Sequence, residues 1–187
     1  DYVLSHTPGN TVSNLSSTAA LRDVTKKHGG KYFASAVGEV NVVAMMKECY
    51  AVIGGEGNGG VIYPDLHYGR DALVGIGLFL THLAKSGVSC SKLRKQYPEY
   101  FISKNKIELK EGINPDQVLS KLKEHFAKEQ TNTTDGLRVD FDGEWVHMRK
   151  SNTEPIIRIY SESSTLQRAN ALAQEVIDLI NKFTTVR

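Results

Sequence analysis

Ala51-Val52-Ile53-Gly54-Gly55-Glu56-Gly57-Asn58-Gly59-Gly60 is the stretch that decides the architecture of the first half of the chain. Three consecutive apolar residues, two of them β-branched, read as a short buried strand, and the glycines end it and predict a loop at the strand's end. Downstream, residues 71–86 are apolar on nearly every side (Leu73, Val74, Ile76, Leu78, Phe79, Leu80, Leu83), which predicts a buried helix stopped by Gly87. Upstream, Ser16 to Thr18 offer N-cap hydroxyls to a helix bearing Leu21 and Val24 that ends at Gly29-Gly30, and a second short helix follows Gly38. Strand alternating with helix predicts an α/β unit.

Beyond it the pattern changes. Tyr97 to Gly112 mixes Pro98, aromatic residues and charges, so a domain boundary is expected there, between residues 103 and 104, with Lys104 to Gly112 as a hinge. Asn114 caps a helix with Pro115 at its first position, and Val118, Leu119, Leu122 and Phe126 form its apolar stripe. Leu137, Val139 and Phe141 alternate with Arg138 and Asp140, Asp142-Gly143 predicts a two-residue turn, and Trp145 to Arg149 returns antiparallel. Ile156 to Tyr160 is a further strand, and Leu166 to Phe183 carries apolar residues at helical spacing. The expected second unit, residues 104–187, is a sheet flanked by helices, an α+β domain.

The bulk composition excludes several classes. The 187 residues are 40% hydrophobic and 24% charged, an ordinary globular mixture. A formal charge of +2, from 23 basic and 21 acidic residues with no Lys/Arg run, does not suggest nucleic-acid binding. No apolar run reaches 18 residues, so no membrane span is expected. Cys49 and Cys90 sit in no C-x-x-C or Cys/His cluster, which points away from a disulfide framework or a zinc site and toward a reducing cytoplasm. The opening Asp1-Tyr2-Val3-Leu4, without Met or a basic leader, suggests a truncated chain.

Two segments have the residue types for chemistry. In the glycine loop, Glu56 and Asn58 lie two apart; on an extended loop they share a side, where a carboxylate beside an amide suits paired sugar hydroxyls. A ligand-free turn fits equally well, whereas the dinucleotide spacing at Gly55, Gly57 and Gly60 requires a helix that does not clearly open there. The second segment is Arg149-Lys150-Ser151-Asn152-Thr153-Glu154-Pro155, with Arg158 beyond it. A turn between strands there gathers two guanidiniums, two hydroxyls, an amide and backbone N–H groups, the donors a phosphate dianion needs. A polar turn with Arg–Glu pairing is the alternative. His28, His67, His82, His125 and His147 show no partner at metal spacing and read as surface or packing residues, and Arg70-Asp71 reads as an ion pair or helix cap. No G-x-S-x-G or H-E-x-x-H occurs.

Taken together, the two segments, about 95 residues apart, resemble the alpha-D-phosphohexomutase family. R-x-S-N-T-x-P followed by Arg158, with Asp135-Gly136 and Trp145 upstream, is similar to the signature of that family's fourth domain. G-E-x-N-G-G, preceded by Ser35-Ala36-Val37-Gly38 and Met46 and followed by Gly69-Arg70-Asp71, is similar to its third domain. The resemblance covers nearly the whole chain. It implies a four-domain enzyme that moves phosphate between the 1- and 6-positions of a phosphorylated hexose, using an N-terminal phosphoserine, Mg²⁺ and a hexose 1,6-bisphosphate intermediate. Neither the S-H-N-P nucleophile segment nor the D-G-D-x-D-R metal loop is here: Ser5-His6-Thr7-Pro8 has Thr where Asn belongs. By resemblance, Glu56 and Asn58 read the sugar, Arg149, Ser151, Asn152, Thr153 and Arg158 hold the phosphate that is not transferred, and no catalytic or metal-ligating residue lies in this chain. Turnover then depends on the missing N-terminal domains; a free-standing sugar-phosphate-binding module is the alternative. Asn58 stands where many relatives have Ser, Gly60 where many have His, and Glu39 where some have His, which leaves the hexose open.

Overall fold

The computed structural model describes residues 1–151 and 154–184, so Asn152 and Thr153 lie outside the described residues. The chain divides into two units, Asp1–Glu99 and Tyr100–Arg187.

The first unit contains α1 (Tyr2–His6), β1 (Asn10–Asn14), α2 (Ala20–Lys27), β2 (Tyr32–Ser35), α3 (Glu39–Glu48), β3 (Ala51–Gly55), β4 (Val61–Tyr63), β5 (His67–Arg70), α4 (Ala72–Ser86) and α5 (Cys90–Arg94). Its sheet runs β2-β1-β3-β4-β5, with β2, β1 and β3 parallel and the last two pairs antiparallel. Parallel neighbours require crossovers, which α2 and α3 supply on opposite faces. Successive residues of β1 show why: Val12 packs under Val42 and Met46 of α3, while the Thr11 hydroxyl meets Thr25 of α2 at 2.6 Å. A Cβ on Gly54 would collide with Met46 Sδ and stand 2.9 Å from Val12 O, so α3 can approach the sheet only over glycine.

Two local expectations need correction, those for β1 and for the helix after Arg70. Strand β1 was hidden because Thr11, Ser13 and Asn14 are polar; they are buried with their side chains hydrogen-bonded. Helix α2 begins at Ala20, where Thr18 Oγ1 supplies the expected hydroxyl by accepting from Ala20 N at 3.2 Å, while Ser17 Oγ donates to Asn14 Oδ1 at 2.9 Å. Helix α4 has the expected extent, with Asp71 Oδ1 accepting from Val74 N at 2.9 Å and Gly87 ending it at φ 64, but none of its residues is buried. Its Gly75, Leu78, Phe79 and His82 line a cleft shared with Val61 and Ile53 of the sheet.

The second unit contains β6 (Phe101–Glu108), α6 (Pro115–His125), β7 (Gln130–Asn132), β8 (Leu137–Asp140), β9 (Trp145–Lys150), β10 (Ile156–Ser163) and α7 (Leu166–Thr184). The sheet is antiparallel throughout, in the order β6-β10-β9-β8-β7. Asn114 caps α6 as expected, and Phe141 N donates to Glu144 O across the Asp142-Gly143 turn. Both long helices cover one face: Val118, Leu122, Leu172, Val176 and Ile180 pack on Val139, Val146, Met148, Ile157 and Ile159. Residues 101–108 pair with β10 along its whole length, so the expected boundary at 103/104 falls inside a strand and the first half of the expected hinge is sheet. Its alternating Lys and Ser/Asn residues, typical of an edge strand, concealed it.

Candidate functional site

In the first unit the polar residues collect where the parallel strands end, the place such sheets offer to ligands. Glu56 follows directly on β3, Asn14 closes β1, and Gly38 follows the β2 end. The Glu56 side chain is only 6% exposed, and its Oε1 accepts from Asn14 Nδ2 at 3.0 Å and from Gly38 N at 3.2 Å. Its Oε2 lies 3.7 Å from Arg70 Nη1. Arg70 is itself gripped by Glu39, which accepts from Arg70 N (2.9 Å) and Arg70 Nε (2.8 Å). The backbone N–H of Arg70, and then its guanidinium, hold the Glu39 carboxyl below the usual carboxylate range.

The loop itself is a turn, not an extended segment. Glu56 N donates to Gly60 O at 2.9 Å, Gly59 N to Glu56 O at 3.1 Å, and Gly59 takes φ +90. Glu56 and Asn58 therefore do not share a side as expected. Glu56 lines a cleft of about 250 Å³ with Ser13 and Ser17, whereas Asn58 lines one of about 490 Å³ with Glu39, Arg70 and Gly60. Asn58 Oδ1 is taken by Gly60 N at 3.0 Å. Arg70 links the two sides. A strand, β4, follows the loop, so the glycine spacing makes no dinucleotide cradle.

In the second unit the turn closes with Ser151 N donating to Ile156 O at 3.0 Å. Arg149 on β9 and Arg158 on β10 are direct cross-strand partners, and Lys106 on β6 is the partner of Arg158 on its other side. Three cations thus stand in one row on the face that the helices leave open. Lys106, Arg158 and Glu154 border a cleft of about 370 Å³. Asp135 Oδ2 lies 3.5 Å from Arg149 Nε, brought there by Gly136 at φ +73, where a Cβ would press within 2.9 Å of Arg149 Cα. Lys150, one residue on, points the other way and donates to both oxygens of Asp116 at 2.8 Å. Of the five expected phosphate residues, Arg149, Ser151 and Arg158 are brought to this end of the sheet; Asn152 and Thr153 lie outside the described residues.

Sequence reasoning did not select Asn14, Arg70, Lys106 or, as a partner of Arg70, Glu39, because only the strand order brings them to the loops. Three histidines also depart from expectation: His67 Nε2 meets Asp71 at 3.1 Å, four residues on, and His28 Nε2 and His82 Nε2 meet Asp1 at 2.7 and 3.5 Å. Among the described residues no three or more His, Cys, Asp or Glu side chains converge as a metal site. No described helix is long and apolar enough to cross a membrane.

Comparison with known proteins agrees with this layout. Residues 1–101 match the phosphoglucomutase/phosphomannomutase alpha/beta/alpha domain III, and residues 106–179 match the C-terminal domain of the same family. The phosphoglucomutase/phosphomannomutase of Thermococcus kodakarensis is 35% identical over 93% of this chain and 38% of its own length. A phosphoglucosamine/phosphogalactosamine mutase of Sulfurisphaera tokodaii is 31% identical over 90% of this chain and 38% of its own. Among solved structures, a family protein of Burkholderia thailandensis superposes with TM-score 0.75 at 24% identity, covering 96% of this chain and 39% of that one. The Paramecium phosphoglucomutase pp63/parafusin, in its open form, gives TM-score 0.73 at 20% identity with the same coverage. The chain therefore spans under two-fifths of the length of these relatives, and it belongs to the phosphoglucomutase/phosphomannomutase family, matching its domain III and its C-terminal domain.

Proposed function

We propose that this chain is the substrate-recognition portion of a phosphohexomutase that interconverts hexose 1-phosphate and hexose 6-phosphate through hexose 1,6-bisphosphate. Glu56 and Asn58 bind sugar hydroxyls. Arg149, Ser151, Asn152, Thr153 and Arg158 hold the phosphate that is not being transferred, so binding energy there orients the reacting end. The phosphoserine nucleophile and the magnesium site belong to preceding domains of the same polypeptide, and the 187-residue chain alone does not turn over.

The observation that carries this reading is the row Lys106, Arg158, Arg149. Like charges directly opposite one another weaken a sheet, so such a row is favourable only with an anion to hold. The fixed Glu56 carboxylate supports the sugar half: a group already held by three partners loses little freedom on binding.

The test is a titration of glucose 6-phosphate, with inorganic phosphate as control, followed by backbone amide shifts. Phosphate moves Ser151 and its neighbours, and glucose 6-phosphate moves Glu56 to Gly59 as well. No shift at either loop up to millimolar ligand, or measurable mutase turnover by this chain alone, would refute the corresponding half of the proposal.

A further inference from the structure

The lysines of the edge strand β6 are placed in a way that edge protection alone does not explain. Lys104 and Lys106 lie two apart, so they share a face, and they stand directly opposite Tyr160 and Arg158 of β10. They are not equivalent. The Lys104 ammonium lies over the Tyr160 ring, 5.6 Å from its centroid, whereas Lys106 faces another cation. A lysine that blunts a sheet edge can do so from any outward position, and opposite an arginine it costs stability. Among the described residues the one carboxylate paired with Lys106 is Glu108 at 3.7 Å, with both side chains more than half exposed, a contact worth little.

The three strands set the reach of these cations. Neighbouring strands lie about 4.8 Å apart, so the backbones at Lys106 and Arg149 are about 10 Å apart, with Arg158 midway between them. Long side chains at that separation can converge over the middle strand and leave room between their heads for one phosphate group. Lys106 and Arg158 border the same cleft of about 370 Å³, in which Lys104 makes a third cation against the single carboxylate of Glu154. On the other flank, Arg149 Nε is buried and has no hydrogen-bond partner among the described residues, with Asp135 Oδ2 at 3.5 Å. Each flank of Arg158 thus holds a cationic donor that the fold itself does not use up.

We propose that Lys106 binds the sugar's phosphate directly, closing on it from β6 as Arg149 closes on it from β9, with Arg158 beneath. The proposal rests on the phosphate role given above to the second unit, and it adds a ligand from a strand outside the turn. The three cations divide the work by their chemistry. Arg149 and Arg158 present planar forks that fix the orientation of the phosphate oxygens, whereas the Lys106 ammonium is a point charge on a flexible four-carbon stem. It swings from Glu108 to the anion without any movement of the sheet. Lys106 therefore sets how tightly the phosphate is held more than how it is turned.

Backbone amide titrations of the 187-residue chain with glucose 6-phosphate, and separately with inorganic phosphate, test it. Lys106→Gln weakens both ligands about tenfold or more, the loss expected for one charge-assisted hydrogen bond, while Ser151 still shifts at saturation. Lys106→Arg, which keeps the charge, recovers most of the affinity. Lys123→Gln removes the same charge from an exposed position on α6, on the helix-covered side of the sheet, and leaves both affinities unchanged. Without ligand, the Tm of Lys106→Gln read through the buried Trp145 is no lower than that of wild type, because the change relieves repulsion with Arg158. Should that variant fail to fold, the side-chain ammonium resonance of Lys106 in the wild type moves on adding phosphate, and a still resonance at saturation overturns the proposal. Undiminished affinity in Lys106→Gln, with Ser151 of the wild type responding, overturns it and leaves the phosphate role standing. Equal weakening by Lys123→Gln overturns it as an effect of net charge, and no response at Ser151 in the wild type removes both readings.

Discussion

Replacing Arg158 by Gln should stabilise the ligand-free second unit while abolishing its response to phosphate. Arg158 faces Arg149 across one ladder and Lys106 across the other. Its neighbours are partly compensated, Arg149 by Asp135 at 3.5 Å and Lys106 by Glu108 at 3.7 Å, but Arg158 has no acidic group within 4 Å among the described residues. Each directly opposed like-charge pair costs about 0.2–1 kcal/mol, and Gln forfeits some packing, so a net gain of about 0.5–1 kcal/mol is expected. In a unit of this size 1 kcal/mol moves Tm by about 4–8 °C. The gain should vanish near 1 M salt, where the screening length falls to about 3 Å. Phosphate at about 100 times its Kd adds about 2.7 kcal/mol to the wild-type unit and far less to the variant. The assay is built into the fold: Trp145, the only tryptophan, is buried in β9, so its fluorescence follows this unit alone during thermal unfolding. A variant less stable than wild type without phosphate, or one with an undiminished phosphate shift, would refute the reasoning.

Gly54→Ala places a Cβ against Met46 Sδ and Val12 O and should cost about 1–3 kcal/mol in denaturant unfolding of the first unit, with partial recovery when Met46→Ala is added. Burial holds the His147 imidazole below its ordinary value of 6.5, so the unfolded chain takes up a proton that the fold refuses. Stability followed through Trp145 should therefore be full above pH 6.5 and fall below it by at most about 1.4 kcal/mol per pH unit, and His147→Asn should flatten that slope. Arg70→Met removes the link between Glu39 and Glu56; a half-exposed ion pair is worth about 0.2–1 kcal/mol, so glucose 6-phosphate should bind up to about fivefold more weakly while the inorganic-phosphate shifts at Ser151 persist.

The helices α6 and α7 and the β8–β9 hairpin were legible because their sequence periods match their geometry, 3.6 for Leu172, Val176 and Ile180, and 2 for Leu137 and Val139. Strand β1 was not, since hydroxyls that satisfy one another in a core look no different in sequence from hydroxyls in a loop. The apolar character of α4 was legible, but its exposure was not, because a run that is apolar on nearly every side reads as buried whether or not its own chain covers it. Both loop motifs stood out by residue type. Their partners did not: Asn14 is 42 positions from Glu56, and Lys106 is 52 from Arg158, so only strand order joins them.

The two loops also differ in how they are prepared, and the difference follows from the charges. Glu56 has its hydrogen bonds already made by Asn14 and Gly38, with Arg70 at ion-pair distance, so the fold itself holds its carboxylate in place. The price of that order falls on folding, not on binding. Arg158 is the reverse case: a cation held between two others by its strand register, kept there because Ile157 and Ile159 on either side anchor β10 in the core. A core that fixes the register cannot relieve the repulsion by sliding, since a one-residue slip would turn both isoleucines to the open face. The repulsion therefore persists until an anion neutralises it, which makes the second unit the one whose stability should report ligand binding.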